Sequence, residues 1–86
     1  MDLTSSDNEA CYFWVVEHAE SGSVDDLSYR IPTRKFHLKY VNEMARNRQV
    51  PVDASTFWEV LQLAFSGIQI IGRPGGRAFA GIREKP

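Results

Sequence analysis

The segment between Pro51 and Gly67 constrains this chain most. Phe57, Trp58, Val60, Leu61, Leu63, Ala64 and Phe65 put apolar side chains on almost every side of a helix. Glu59, Gln62 and Ser66 are left as one narrow polar seam. A helix with so little polar surface is buried on most sides. In a chain of 86 residues, enough for one domain, it has to lie between a sheet and a further layer. That layer is either another helix or a second subunit. Thr56-Phe-Trp-Glu59 fits a capping box, and Asp53 is a rival N-cap. Gly67 marks the end of the helix.

Period and punctuation give the other elements. Residues 11–18, Cys-Tyr-Phe-Trp-Val-Val-Glu-His, are dense in aromatic and β-branched side chains and predict a strand. Both its faces are apolar through the middle, which predicts a central strand covered on both sides. Ser23-Val-Asp-Asp26 resembles a capping box with Asp in the Glu position and allows one helical turn. Ile31-Pro32 forces extended backbone at Ile31. Residues 33–48 predict a helix, because Phe36, Tyr40, Val41 and Met44 recur at helical spacing. Phe36, Leu38 and Tyr40 also alternate, so residues 34–41 leave strand open. The pattern continuing to Ala45 favours helix.

Pro51 breaks the connection at 47–52. Residues 68–72 and 77–83 read as two strands around Arg73-Pro-Gly-Gly76, with Pro then Gly at the centre as a type II turn requires. The order strand, helix, helix, β-hairpin predicts an α+β fold, a small antiparallel sheet with two helices packed on one face. Residues 1–9 read as a disordered acidic tail, 10–83 as a single domain and 84–86 as a short tail.

Apolar residues make up 43% and charged residues 24%, which argues against disorder. The one cysteine, Cys11, has no internal disulfide partner. The first ten residues lack the basic and apolar regions of a signal peptide, and no apolar run reaches the length of a membrane span. Together these predict a cytoplasmic protein without membrane contact. Charge is uneven. Residues 1–29 hold seven acids and no Lys or Arg, whereas residues 30–86 hold ten basic residues against four acids. Such asymmetry can mark a charged binding surface.

Candidate chemistry is sparse. Cys11 and His18 lie seven apart on the predicted strand, on opposite faces and about 23 Å from one another, too far for a nucleophile and its base. One Cys and two His without metal spacing give no zinc signature. The Gly-rich stretch 72–77 lacks the Lys-Ser/Thr ending of a phosphate loop and leads into a strand. Asp25 and Asp26 suit capping and solvation. No catalytic residue, metal ligand or cofactor is therefore assigned.

Two helices followed by a basic hairpin resemble a winged helix-turn-helix at a coarse level. Residues 54–66, however, carry no Lys or Arg for a recognition helix, and the linker before them is long for that motif. The expected binding surface is basic: Lys35, Lys39, Arg46 and Arg48 on the first long helix, and Arg73 and Arg77 at the hairpin tip. Tyr12, Trp14, Val16 and Phe79 are expected to form an apolar face for self-association as a homodimer. The sequence thus points to a small non-enzymatic interaction protein, an adaptor or an inhibitor such as a phage- or plasmid-type accessory protein. It would engage a protein partner with an acidic surface. A nucleic-acid-binding protein using the same residues on phosphates is the second expectation. An enzyme subunit completed by dimerisation, with His37 or His18 as acid/base, is the third.

Overall fold

The computed structural model describes residues 6–86, with Arg73 described by its backbone alone. The elements in chain order are α1 (Ser6–His18), β1 (Ala19–Ser21), β2 (Arg30–Pro32), α2 (Thr33–Arg46), α3 (Ala54–Ala64), β3 (Gln69–Arg73), β4 (Gly76–Ala80) and β5 (Ile82–Glu84). Every strand pair among the described residues is antiparallel, and the α+β class expected from the sequence holds. β4 lies between β2 and its hairpin partner β3, giving the order β2-β4-β3, while β5 continues the same strand and pairs with β1.

The first element is a correction. Residues 11–18 are the last two turns of helix α1 and not a strand. Cys11, Trp14, Val15 and Ala19 are buried, while Phe13, Val16 and Glu17 face solvent. That spacing of three and four is helical. β-Propensity measures fit to a half-buried pleated surface. Here Trp14 and Val15 find that fit in a core shared with α2 and α3 instead. Asp7 and Glu9 in the first turn complement the helix dipole. Residues 6–9, expected to be tail, therefore belong to the helix. Residues 1–5 lie outside the described residues.

α2 settles the ambiguity at 34–41 in favour of helix, with Phe36, Tyr40 and Met44 buried at intervals of four. Asn47 caps it, and Arg48 turns the chain with a left-handed φ of 56°. The linker then folds back along α2. The Val52 amide donates to the Tyr40 hydroxyl at 2.8 Å, and the Val52 carbonyl lies 3.3 Å from His37 Nε2. Asp53, one of the two expected caps, accepts from the Thr56 amide at 2.8 Å and starts α3.

Phe57, Val60 and Leu61 of α3 are buried. The further layer that α3 was expected to need is α1 of the same chain. Leu63 stays half in water at 51% exposure, so the helix is less enclosed than its composition suggests. The core beneath is aromatic. Trp14 packs against Phe36, Tyr40 and Phe57, with ring centroids 5.3, 5.4 and 6.3 Å away.

The hairpin turn at Pro74-Gly75 is the expected one, with Gly75 at φ 89° and Arg73 opposite Gly76. Gly81 splits the predicted strand 77–83 into β4 and β5. Its φ is 96°. Its amide donates to the Tyr29 carbonyl at 3.0 Å, and its carbonyl accepts from the Gly22 amide at 2.8 Å. Both ends of the loop between β1 and β2 are tied to the sheet through this residue.

Candidate functional site

Two grooves divide the surface by charge. The first lies between α2, α3 and the hairpin. The folded-back linker brings the start of α3 beside the start of α2, so Arg34 and His37 of α2 meet Ala54 and Ser55 of α3. Ile70 of β3 and Arg77 of β4 close the other side, over a floor that includes Phe57, Trp58 and Phe79. The groove encloses about 470 Å³. Trp58 stacks on Phe79 at 5.6 Å and 10°, which fixes the indole against the sheet. Arg34 and Arg77 are exposed, and no carboxylate lines the groove among the described residues. Asp53 stands close by. Its exposed carboxylate is held below its ordinary pKa by the Thr56 backbone and side chain, with a smaller contribution from His37.

The second groove lies between α1 and the C-terminal half of α2 and encloses about 630 Å³. Glu9, Phe13 and Glu17 form its α1 wall, and Glu43, Met44 and Arg46 its α2 wall. The Trp14 indole N–H donates to the Glu43 carboxylate. His18 stacks on Trp14 at 4.4 Å, its Nε2 3.4 Å from the same carboxylate and its Nδ1 2.9 Å from the Trp14 carbonyl.

Of the six basic residues expected to form one surface, the five whose side chains are described do not come together. Arg77 faces Arg34 across the first groove. Lys35 lies on a shallow depression with Arg30 and Glu84, and Lys39 pairs with Glu84 at 3.5 Å. Arg46 stands in the acidic groove, about 18 Å along the helix from Arg34. Arg48 is exposed just beyond the C-cap. The backbone of Arg73 ends β3 at the tip, and its side chain lies outside the described residues.

The expected self-association face is corrected as well. Trp14 and Phe79 are 5% and 3% exposed and belong to the core. Tyr12 packs partly buried against that core, and Val16, one turn further along α1, is exposed. A strand would place Tyr12, Trp14 and Val16 on one face, whereas the helix keeps Tyr12 and Val16 on one side and turns Trp14 to the other.

Cys11 is buried, and that burial pushes its thiol up to about 11, against a smaller opposing effect of the Tyr40 hydroxyl. Cys11 and His18 lie about two helical turns apart, roughly 10 Å. Among the described residues no group of three or more His, Cys, Asp or Glu comes together to hold a metal ion, and no helix is long and apolar enough to cross a membrane.

Arg34 is legible as a helix cation, but its place across from Arg77 is not, because it depends on β2 pairing with β4 with Pro32 opposite Ala78. Glu9, Phe13 and Glu17 carried a missed signal: their spacing of four is a helical face. No family model matches the chain, and no curated protein matches it.

Proposed function

We propose that this chain is a nucleic-acid-binding domain of the winged helix-turn-helix kind that holds phosphates between Arg34 of α2 and Arg77 of the hairpin. The observation that carries this reading is the order of elements: helix α1, strand β2, helices α2 and α3, then a hairpin whose second strand pairs with β2. Winged helix-turn-helix domains have this order, with the hairpin as the wing. The linker that looked too long for the motif is consumed in folding back on Tyr40 and His37.

The absence of Lys and Arg from α3 shapes the mode of binding. Phosphate contacts position such a domain, and base edges are read by other groups. Here the cations flank α3 and do not sit on it. Its exposed face offers Ala54, Ser55, Glu59 and Gln62, small and hydrogen-bonding side chains suited to close approach. The acids of α1 line the other groove, so the net charge of −1 does not describe the face presented to phosphate. An acidic protein surface would be met by the same cations, and the following test separates the two.

Fluorescence anisotropy with a labelled mixed-sequence DNA duplex is expected to show binding that weakens steeply with salt. Replacing both Arg34 and Arg77 by Glu should weaken it by at least about tenfold and lower the salt slope by roughly 2, one for each phosphate left without its arginine. Polyglutamate should compete poorly. No duplex binding at low salt, or equal binding to polyglutamate, would overturn the reading.

A further inference from the structure

The acidic groove is built for something the phosphate reading leaves unused. Glu9, Phe13 and Glu17 stand one turn apart on α1, all exposed. Phe13 is 60% exposed, and every other Phe and Trp among the described residues is buried or half-buried. It contributes nothing to the core, which α1 reaches through Cys11, Trp14 and Val15. An aromatic ring held in water between two carboxylates, on the wall of a groove, marks an interface. The opposite wall adds Glu43, whose carboxylate is aimed by the Trp14 indole and the His18 ring, over a buried Met44.

Charge complementarity selects the occupant. Glu9 and Glu17 are separated by about 12 Å along the helix, which matches two side chains roughly seven or eight residues apart on a partner helix. We propose that this groove docks a protein helix carrying two basic side chains at that spacing with a large aliphatic side chain midway. The aliphatic residue packs on the exposed Phe13 ring, and the basic residues reach Glu9 and Glu17, the helix-in-groove mode. A symmetric dimer through this groove would set Glu9 and Glu17 against their own copies, because a two-fold contact uses the same patch on both sides. Arg46, the cation on the α2 wall, favours a partner with an acidic residue at that edge.

The probe is a synthetic alanine-based helical peptide of pattern Lys-x-x-x-Leu-x-x-x-Lys, bearing a fluorophore, titrated with the whole chain. Saturable binding is expected, weakened roughly tenfold or more by Phe13→Ala and several-fold by Glu9→Gln with Glu17→Gln. The same peptide with Glu in place of Lys is expected not to bind. Phe13 and both acids are exposed, so Phe13→Ala should melt like the parent and the double Gln variant only slightly below it, through the lost Glu9 charge in the first turn, and circular dichroism checks this. Binding that survives Phe13→Ala, or no binding of the Lys peptide, would overturn the proposal. So would a dimer seen by light scattering that Phe13→Ala dissolves, since the groove would then belong to a second copy.

Discussion

Each groove of this domain holds a tryptophan, and the two are used in opposite ways. Trp14 lies beneath the acidic groove with its ring in the core and its N–H turned outward to orient Glu43. Trp58 is partly buried in the floor of the basic groove, stacked flat on Phe79. The acidic groove is therefore tied to the interior, and its carboxylate is set by a core residue. The basic groove is assembled from the ends of three elements, so its shape depends on a linker and a turn. Local charge on this small chain is decided by which segment the fold brings alongside, and not by the overall balance.

The sharpest way to break this comparison is to truncate each indole. Trp14→Ala removes a buried ring that packs against four other aromatic rings and should cost about 3–5 kcal/mol. That is a large part of the stability of a domain this small, so the variant should be largely unfolded by circular dichroism. Trp58→Ala removes a partly solvated ring and should cost about 1–3 kcal/mol, leaving a cooperative melt at lower temperature. Equal losses at the two sites would show that the basic groove is as deeply anchored as the acidic one.

The joint between the two regions gives the next effect in size. Gly81 separates β4, which carries the basic groove, from β5, which pairs with the strand following α1. Its φ is left-handed, and a Cβ there would lie 3.0 Å from Val24 Cγ1. Gly81→Ala should cost about 1–3 kcal/mol from backbone strain. Gly72, where an added Cβ would meet nothing within 4 Å, should tolerate alanine with a much smaller change. A thermal melt of each variant compares them, and a neutral Gly81→Ala would mean the two strands are not held at this residue.

How much of this was legible differs between the regions for physical reasons. α2, α3 and the hairpin announce themselves through period, caps and turn chemistry, all local signals. Asp53, Phe36, Tyr40, Met44 and Pro74-Gly75 do in the fold what their spacing implies. α1 was read as a strand because Tyr12, Trp14, Val15 and Val16 fit either element. What decides between them is the greasy face of α3, some forty residues away in sequence, which needs a helix to cover it. A strand there would leave Trp14 and Phe79 on an open sheet face, whereas the helix buries both. The site residues suffered from the same non-locality. Arg77 is legible from its turn, but Arg34 comes beside it because β2 pairs with β4 with Pro32 opposite Ala78, a non-local register that no local pattern displays.

The smallest effect concerns the carboxylate at the rim of the basic groove. Asp53 is held below its ordinary value of 3.8 chiefly by the Thr56 amide. A carboxylate with a depressed folded-state pKa adds stability that is complete above the unfolded value and is lost as pH falls through the folded one. Asp53→Asn keeps a side-chain oxygen for the cap but removes the titration. Urea midpoints compared below and above pH 3.8 should therefore fall less steeply with acid in the variant than in the parent. The same substitution takes a negative charge from near His37 at the rim of the groove, so duplex binding at neutral pH should tighten slightly, by less than the change Arg77→Glu brings in the other direction. Weaker binding would show that Asp53 serves the phosphate site through the geometry of α3 and not through its charge.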